Sequence, residues 1–279
     1  MENIVKLVKP GIIMGNAITA ASGFVLASKG HFDLSLFLMT LLGLSLIIAS
    51  GCAFNNYIDR DADKKMTRTQ DRVLARGALS NPIALLYAGI LGIAGTWLLF
   101  VFVHPLPGAI ALAGFAIYVL LYSLLKYRTT HATLIGSIAG AVPPVVGYTA
   151  VTHQLDLGAL LLFAMIALWQ MPHFYAIAIY RLEEYAAASI PVLPVKEGIQ
   201  KTKVQMVVYA AAFFISALLP ALCGYAGKVY LISAALLGAI WLIMSIQGFK
   251  AGNDKQWARK MFLFSLIIVT GLSAVIIVF

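Results

Sequence analysis

The sequence predicts an all-α polytopic membrane protein that crosses the bilayer nine times. Hydrophobic residues make up 61% of its 279 positions and charged residues only 11%, whereas about a quarter of the residues in soluble domains are charged. The mean hydropathy is +0.92. All 20 basic and 11 acidic residues lie outside nine apolar spans. The charges therefore divide the chain into membrane-spanning segments and the connections between them.

Each apolar span is 19–23 residues long, which is enough for a helix to cross about 30 Å of hydrocarbon. Backbone groups in lipid need internal hydrogen-bond partners, and a helix supplies them. No soluble domain boundary interrupts the series, so we expect residues 1–279 to form a single membrane domain. The spans are 10–28, 35–54, 82–103, 107–125, 132–152, 157–179, 204–223, 229–248 and 261–279.

The basic residues predict the orientation. A cytoplasmic N-terminus and an outside C-terminus (N-in, C-out) place 18 of the 20 Lys and Arg residues in the cytoplasm and leave only Lys29 and Lys228 outside. This asymmetry explains the net charge of +9 without a nucleic-acid partner. Lys6 and Lys9 could also begin a signal peptide, but eight further spans favour an uncleaved first helix.

The stretch from residue 55 to residue 80 concentrates polar side chains in this apolar chain. If the helix entering it continues, Asn55, Asn56, Asp59 and Asp63 fall within one arc of about 100°, and Asp61 points away. Two carboxylates and two amide oxygens form the hard oxygen set that Mg²⁺ accepts with retained waters. The neighbouring cations suit the phosphate oxygens of a metal–diphosphate complex. The alternative is an ordinary hydrophilic loop.

A second long polar segment covers residues 180–203, and the two segments together hold seven of the eleven acidic residues. Loops on a rigid scaffold often carry function, and Glu184 is the carboxylate that we expect to face the first segment. Pro191 and Pro194 are expected to end the helical pattern of the sixth span.

One ionisable residue, His173, lies inside a predicted span. Burying such a group is expensive, so it is a functional candidate by default. A continuous helix would place His173 on one face with Trp169, Tyr180 and Glu184. The alternative is a neutral imidazole that hydrogen-bonds a neighbouring helix.

Three further features concern the ends and the packing of the helices. Lys126 follows the fourth span, with Tyr122 one turn before it and Arg128 after it, and it could instead extend to the lipid headgroups. Asn16, about two turns into the first span, needs a polar partner. Small residues and prolines in the fifth span permit close packing and a bend; they are Gly136, Gly140, Pro143, Pro144 and Gly147.

Several motifs occur in order along the chain: KPGIIMGN, NNYIDRDADKKMTRT, YSLLKYR, GSIAGAVPP, WQMPH and YRLEEYAAASIPVLP. Together they resemble the UbiA-type intramembrane prenyltransferases, in the form found in the branch that farnesylates protoheme IX. The resemblance reaches to about residue 260. It implies nine transmembrane helices around a central cavity, with Mg²⁺ and diphosphate bound under cytoplasmic cap loops, in the cell inner (cytoplasmic) membrane.

The resemblance also implies a reaction. The farnesyl group of farnesyl diphosphate is transferred to a vinyl group of haem B with addition of water, which gives haem O and diphosphate. Haem B is then a substrate rather than a cofactor, and Mg²⁺ is the cofactor. A contact with haem-modifying or terminal-oxidase assembly proteins is left open.

The expected site residues follow from matching motif positions and from location. The metal ligands are Asn55, Asn56, Asp59, Asp63 and Glu184. The diphosphate-binding cations are Arg68, Arg72, Lys126, Arg128 and Arg181. The haem contacts are His173, Trp169, Tyr180, Asn16 and Tyr122. Position 188 is Ala where the wider family has a second acidic residue, so fewer carboxylates hold metal and the cations carry more of the diphosphate charge.

Two alternatives remain. The acceptor of the same chemistry could be a quinone precursor or a chlorin. From a different class, a membrane transporter could use a basic cytoplasmic gate, although transporters generally bind at mid-membrane on discontinuous helices.

Overall fold

The computed structural model describes residues 2–278, with side chains from residue 5 onward. Within this range nine helices are long and apolar enough to cross a membrane, as predicted. Residue 279, the last of the ninth predicted span, lies outside the described range. In chain order the helices are α1 (Glu2–Leu7), α2 (Pro10–Ser28), α3 (Leu34–Asp63), α4 (Asn81–Val103), α5 (Pro105–Leu125), α6 (Ala132–Thr152), α7 (Leu157–Tyr180), α8 (Leu182–Ala187), α9 (Leu193–Leu222), α10 (Lys228–Lys250) and α11 (Asp254–Val278).

Local chemistry at the connections sets several helix boundaries. The Asp33 side chain accepts a hydrogen bond from the Leu36 amide and caps α3. Asp156 caps α7 in the same way through the Ala159 amide. These carboxylates satisfy backbone donors that the first turn leaves unpaired.

The third helix extends well beyond its apolar part. It was expected to cross the membrane over residues 35–54, and it continues without a break to Asp63. The helix therefore continues into the first polar segment, as the prediction required. Asn55, Asn56, Asp59 and Asp63 consequently share one face of α3. Hydrogen bonds join the last turns of α3 to Lys9, which precedes α2, and to Ser123 and Lys126 at the end of α5.

The second polar segment differs from expectation. Arg181, at φ −112° and ψ 26°, ends α7, and Glu184 lies on the separate helix α8. The predicted continuous helical face from Trp169 to Glu184 is therefore wrong. The Arg181 amide donates to the Ile177 carbonyl and closes α7, while its guanidinium pairs with Glu184 across the break.

Pro194 also has a different role from the one predicted. It lies in the first turn of α9 and begins that helix rather than ending a pattern. Proline suits this position because its fixed φ is helical and its missing N–H would have no partner there. Gly198, at φ 85°, then kinks α9 before its apolar part.

Helices α2 and α6 pack closely through glycine, as the small residues of the fifth span predicted. A Cβ atom on Gly23 would overlap the Pro144 carbonyl oxygen, and one on Gly147 would overlap the Ala20 carbonyl oxygen. A larger core joins α7, α9, α10 and α11, with Phe213, Trp241 and Met261 almost fully buried. The bundle is thus held by apolar contacts, and the polar residues collect at its end.

Replacing Gly23 with alanine should destabilise the bundle by about 1–3 kcal/mol, because the new methyl group must push α2 away from α6. Gly15→Ala, on the same helix with no atom within 4 Å of its Cβ position, is the matched control and should be neutral or slightly stabilising. The melting temperatures of both variants in detergent test this expectation. Equal melting temperatures would contradict the close α2–α6 contact.

Candidate active site

Four polar side chains of the α3 end are buried together. Asn55, Asn56, Asp59 and Asp63 are each 6% exposed or less, whereas Asp61 is exposed and pairs with its neighbours on the surface. The helical arc that the spacing predicted is therefore present. Burying such groups is costly unless each finds a partner, so their partners define the site.

Asp59 contacts the two residues that directly follow α5, Lys126 and Tyr127. Lys126 Nζ lies 2.5 Å from its carboxylate and the Tyr127 hydroxyl donates to it at 2.8 Å. Burial lowers the pKa of Lys126, and the nearby Asp59 charge opposes that shift. Burial, followed by the Asp59 charge, raises the pKa of Tyr127. Lys126 therefore turns inward to the carboxylate instead of extending to the headgroups.

Asp63 is held by the loop that follows α3. Arg72 Nη1 lies 2.9 and 2.8 Å from its two carboxylate oxygens. The Thr69 hydroxyl donates to the Asp63 backbone carbonyl at 3.1 Å. The loop thus folds back over the helix end and brings a guanidinium to the site.

The two asparagines contact the start of the chain. Lys9 Nζ donates to Asn55 Oδ1 at 2.7 Å, and Asn55 Nδ2 donates to the Ser123 hydroxyl at 3.1 Å. Asn56 Nδ2 donates to the Leu7 carbonyl at 2.7 Å. Burial lowers the pKa of Lys9 to about 8, with a further contribution from the positive charge of Arg72.

Glu184 joins the second polar segment to the first. Arg181 Nη1 donates to one of its oxygens at 2.6 Å, and Arg68 Nε lies 3.8 Å from the other. Tyr185 and Tyr127 both pack around the buried Met66 of the first loop. Since Tyr127 also binds Asp59, these contacts connect the two predicted carboxylate motifs.

The donor set suits Mg²⁺. Asn56 Oδ1 and Glu184 Oε2 are buried oxygens without a hydrogen-bond partner among the described residues. Within the same range, no three acidic, histidine or cysteine side chains group closely enough to hold an ion by themselves. Mg²⁺ is usually bound by one or two carboxylates together with waters and substrate phosphates. The residues therefore fit a metal ion that arrives with a diphosphate.

The predicted haem contacts are spread more widely. His173 Nδ1 lies 2.7 Å from the Ser265 hydroxyl, and its ring stacks on Trp169 with centroids 4.7 Å apart. Trp169 also lines an apolar pocket of about 10 Å³ between α2, α7 and α11. A space of that size holds about one water molecule, so a farnesyl chain or haem enters only if the helices or side chains move.

The other predicted contacts have local partners. The Tyr122 ring stacks on Tyr118 and lies 5.6 Å from Lys126 Nζ, which keeps it beside the polar cluster. The guanidinium carbon of Arg181 lies 4.5 Å from the centroid of the Tyr180 ring. Asn16 donates to the Ile12 carbonyl of its own helix.

Arg128 is exposed at the surface, apart from the buried groups of the cluster. Three residues that do contact the cluster were not singled out from the sequence. Lys9 looked like an ordinary cytoplasmic lysine, and Ser123 and Tyr127 lie within the motif YSLLKYR, from which only Tyr122, Lys126 and Arg128 were predicted as site residues. The position of Tyr127 directly beside Lys126 was the one available signal.

Comparisons with known proteins identify the family. The sequence profile described as the UbiA prenyltransferase family matches residues 16–267. Protoheme IX farnesyltransferase 2 of Pseudomonas fluorescens (strain Pf0-1) is 53% identical over 274 residues, which cover 98% of this chain and 93% of that protein.

Two solved structures share the fold at low sequence identity. Digeranylgeranylglyceryl phosphate synthase superposes with a TM-score of 0.82 at 19% identity, covering 99% of this chain and 98% of that one. A UbiA homologue from Archaeoglobus fulgidus bound to GPP and Mg²⁺ gives a TM-score of 0.73 at 14% identity, covering 99% of both chains. The chain therefore belongs to the UbiA prenyltransferase family, within which its curated relatives are the protoheme IX farnesyltransferases.

Proposed function

We propose that this protein transfers the farnesyl group of farnesyl diphosphate to a vinyl group of haem B, with addition of water, to form haem O and diphosphate. The observation that carries the proposal is the buried cluster of carboxylates and cations at one end of an apolar bundle. Its sequence relatives are protoheme IX farnesyltransferases, and a homologue of the same fold is bound to a prenyl diphosphate and Mg²⁺.

The metal ligands in this proposal are Asn56, Asp59, Asp63 and Glu184. Two of them supply buried oxygens that accept no hydrogen bond from the described residues, Asn56 Oδ1 and Glu184 Oε2. Asn55, the fifth residue predicted from the sequence, accepts a hydrogen bond from Lys9 through its amide oxygen, as Asp59 and Asp63 accept from Lys126 and Arg72.

The diphosphate is bound by cations that are now paired with carboxylates. Lys126 and Arg72 hold Asp59 and Asp63, and Arg68 and Arg181 hold Glu184. When bound, Mg²⁺ supplies Lewis-acid neutralisation of the leaving diphosphate. The four cations stabilise the negative charge that develops on the diphosphate as its bond to farnesyl C1 breaks.

The reaction then needs an acceptor held in an apolar setting. The farnesyl C1 forms a bond to the terminal vinyl carbon of haem B, and a water molecule adds to the other vinyl carbon and loses a proton. Apolar walls around Trp169 exclude other water until that point. In this proposal the polar cluster binds the diphosphate and the apolar interior holds the acceptor, so each performs a separate part of one reaction.

We assign haem contact to His173 together with Trp169. The Ser265 hydroxyl donates to the Phe262 carbonyl at 2.6 Å, so it accepts from His173 Nδ1–H. That tautomer leaves the Nε2 lone pair free to bind haem iron, as imidazole commonly does. The excess of positive charge at the polar end favours a cytoplasmic site in the inner membrane, and contact with haem-modifying or oxidase assembly proteins stays a prediction.

Asp59→Asn and Asp63→Asn should each lower haem O formation by at least 100-fold, because each removes a metal-binding charge while it keeps the side-chain shape. Haem extracted from membranes that overexpress each variant, analysed by mass, measures the effect. Asp61 lies two positions from both residues on the exposed face of the helix. Asp61→Asn is therefore the matched control and should keep normal turnover. Normal haem O levels in both site variants would refute the metal assignment.

Removal of Mg²⁺ should stop turnover reversibly. Membranes treated with EDTA and supplied with haem B and farnesyl diphosphate should form no haem O, and added Mg²⁺ should restore it. Parallel incubations with an aromatic quinone precursor in place of haem B test the acceptor. Prenylation of the quinone precursor but not of haem B would overturn the proposed acceptor.

His173→Gln should weaken or shift the Soret absorption of haem B bound to the purified protein, because it removes the free imidazole nitrogen. His31→Gln, at an exposed loop position, is the control with the same chemical change. An unchanged Soret band in the His173 variant would show that this histidine has only a packing role with Ser265.

A further inference from the structure

A groove of about 280 Å³ opens between the end of α10 and the start of α11. The ion pair between Glu183 of α8 and Lys255 of α11 links this region to the end of the bundle that carries the polar cluster. Among the described residues that line the groove, none belongs to the candidate active site. The groove is therefore a second cavity at the same end of the molecule.

Trp257 forms a fixed wall of the groove. Its Nε1–H donates to the Met244 carbonyl of α10 at 2.9 Å, and a Cβ atom on Gly248 would overlap its ring. The Lys203 ammonium of α9 lies 5.5 Å from the centroid of the same ring. Because three helices hold this wall in place, a ligand can bind without first ordering it.

The charges around the groove favour an anion. Residues 248–260 contain four basic residues and one acidic residue. The acidic residue, Asp254, pairs at 2.6 Å with Lys203, which is 2% exposed. Lys260 lines the groove and forms no ion pair among the described residues, and Gln256, one turn before it, supplies amide donors. A phosphate group in the groove would therefore meet a positive charge and neutral donors, while the nearby carboxylate is already paired.

The groove continues into an apolar surface that faces the bilayer. On α11, Lys260 shares one helical face with Leu263 and Ile267, which are 48% and 55% exposed. On α10, Gln247 lines the groove and shares a face with Ile243, which is 54% exposed. A soluble phosphate would leave this apolar surface unused. A phospholipid would place its phosphate in the polar groove and its acyl chains along the apolar surface.

We propose that this groove binds an anionic phospholipid of the surrounding bilayer, with the lipid phosphate at Lys260 and Gln256 and the acyl chains between α10 and α11. Basic pockets between transmembrane helices recognise lipid headgroups in this way. The inference is independent of the proposed reaction, because the groove and the candidate active site share no residue.

The first test measures lipid binding to the purified full chain by native mass spectrometry, with phosphatidylglycerol and phosphatidylcholine as the probes. The wild-type protein should bind phosphatidylglycerol more tightly. Lys260→Gln should weaken phosphatidylglycerol binding about fivefold, the effect of one cation near a membrane surface, and leave phosphatidylcholine binding unchanged. Lys196→Gln makes the same charge change at an exposed position of α9 outside the groove and should have less than about a twofold effect.

The second test blocks the groove without changing its charge. Gly252 lines the groove, and a Cβ atom there would meet no atom within 4 Å. Gly252→Phe should remove the preference for phosphatidylglycerol over phosphatidylcholine, because the ring occupies the space of the headgroup. Gly227→Phe, at the start of α10 and equally open, is the matched control and should keep the preference.

Several outcomes would overturn the proposal. Equal affinity of the wild-type protein for both lipids would do so, as would unchanged phosphatidylglycerol binding in either Lys260→Gln or Gly252→Phe. Displacement of the lipid by an equal concentration of glycerol 3-phosphate would identify a soluble phosphate as the ligand instead. A dimer in the same spectra that only Gly252→Phe dissociates would show that a second copy covers the groove. Melting temperatures in detergent check that each variant is folded.

Discussion

The central constraint on this structure is that charges buried at the end of an apolar bundle must be paired. Asp59 with Lys126 and Asp63 with Arg72 are the two most enclosed pairs of the cluster, and each joins separate parts of the chain. Removing one partner of a buried pair leaves an uncompensated charge at a cost of about 3–5 kcal/mol. The pairs consequently tie α3, the residues that follow α5 and the loop after α3 into one polar rim, and the buried apolar side chains Met66 and Leu74 pack the same loop against the bundle.

In the function proposed above, the same pairing would let the rim bind a metal diphosphate without a large penalty. Both new partners arrive together, so a carboxylate that releases a cation gains a metal ion, and the released cation gains a phosphate oxygen. No charge is left buried alone at the end of the exchange. The oxygens of Asn56 and Glu184 that lack partners fit this scheme, because a buried acceptor without a hydrogen bond is costly until a ligand satisfies it.

The sequence predicts the parts of the structure that depend on periodicity and solvent. The nine apolar segments correspond to the nine helices of residues 2–278 that are long enough to cross a membrane. The spacing of Asn55, Asn56, Asp59 and Asp63 specifies their common face once α3 continues. The break at Arg181 could not be predicted, because it depends on one residue leaving helical geometry while its side chain binds Glu184. Lys9 was not predicted for a similar reason, since its contact with Asn55 depends on a left-handed backbone and not on its place in a charge pattern. At both residues, tertiary contacts override the backbone conformation that the local sequence favours.

The break at Arg181 has a mechanical consequence for the two halves of the site. Had α7 continued to Glu184, any movement of His173 and Trp169 would have carried the carboxylate with it. The interruption places Glu184 on a short separate helix, braced by Arg181 and Arg68. Trp169 and His173 are instead tied to α11 through the carbonyl and hydroxyl of Ser265. The apolar pocket of about 10 Å³ beside them is therefore bounded by two helices that hydrogen bonds hold together, and widening it between α7 and α11 would break those bonds. Because Glu184 lies on its own helix, the ion pairs that hold it do not depend on the packing of Trp169 and His173.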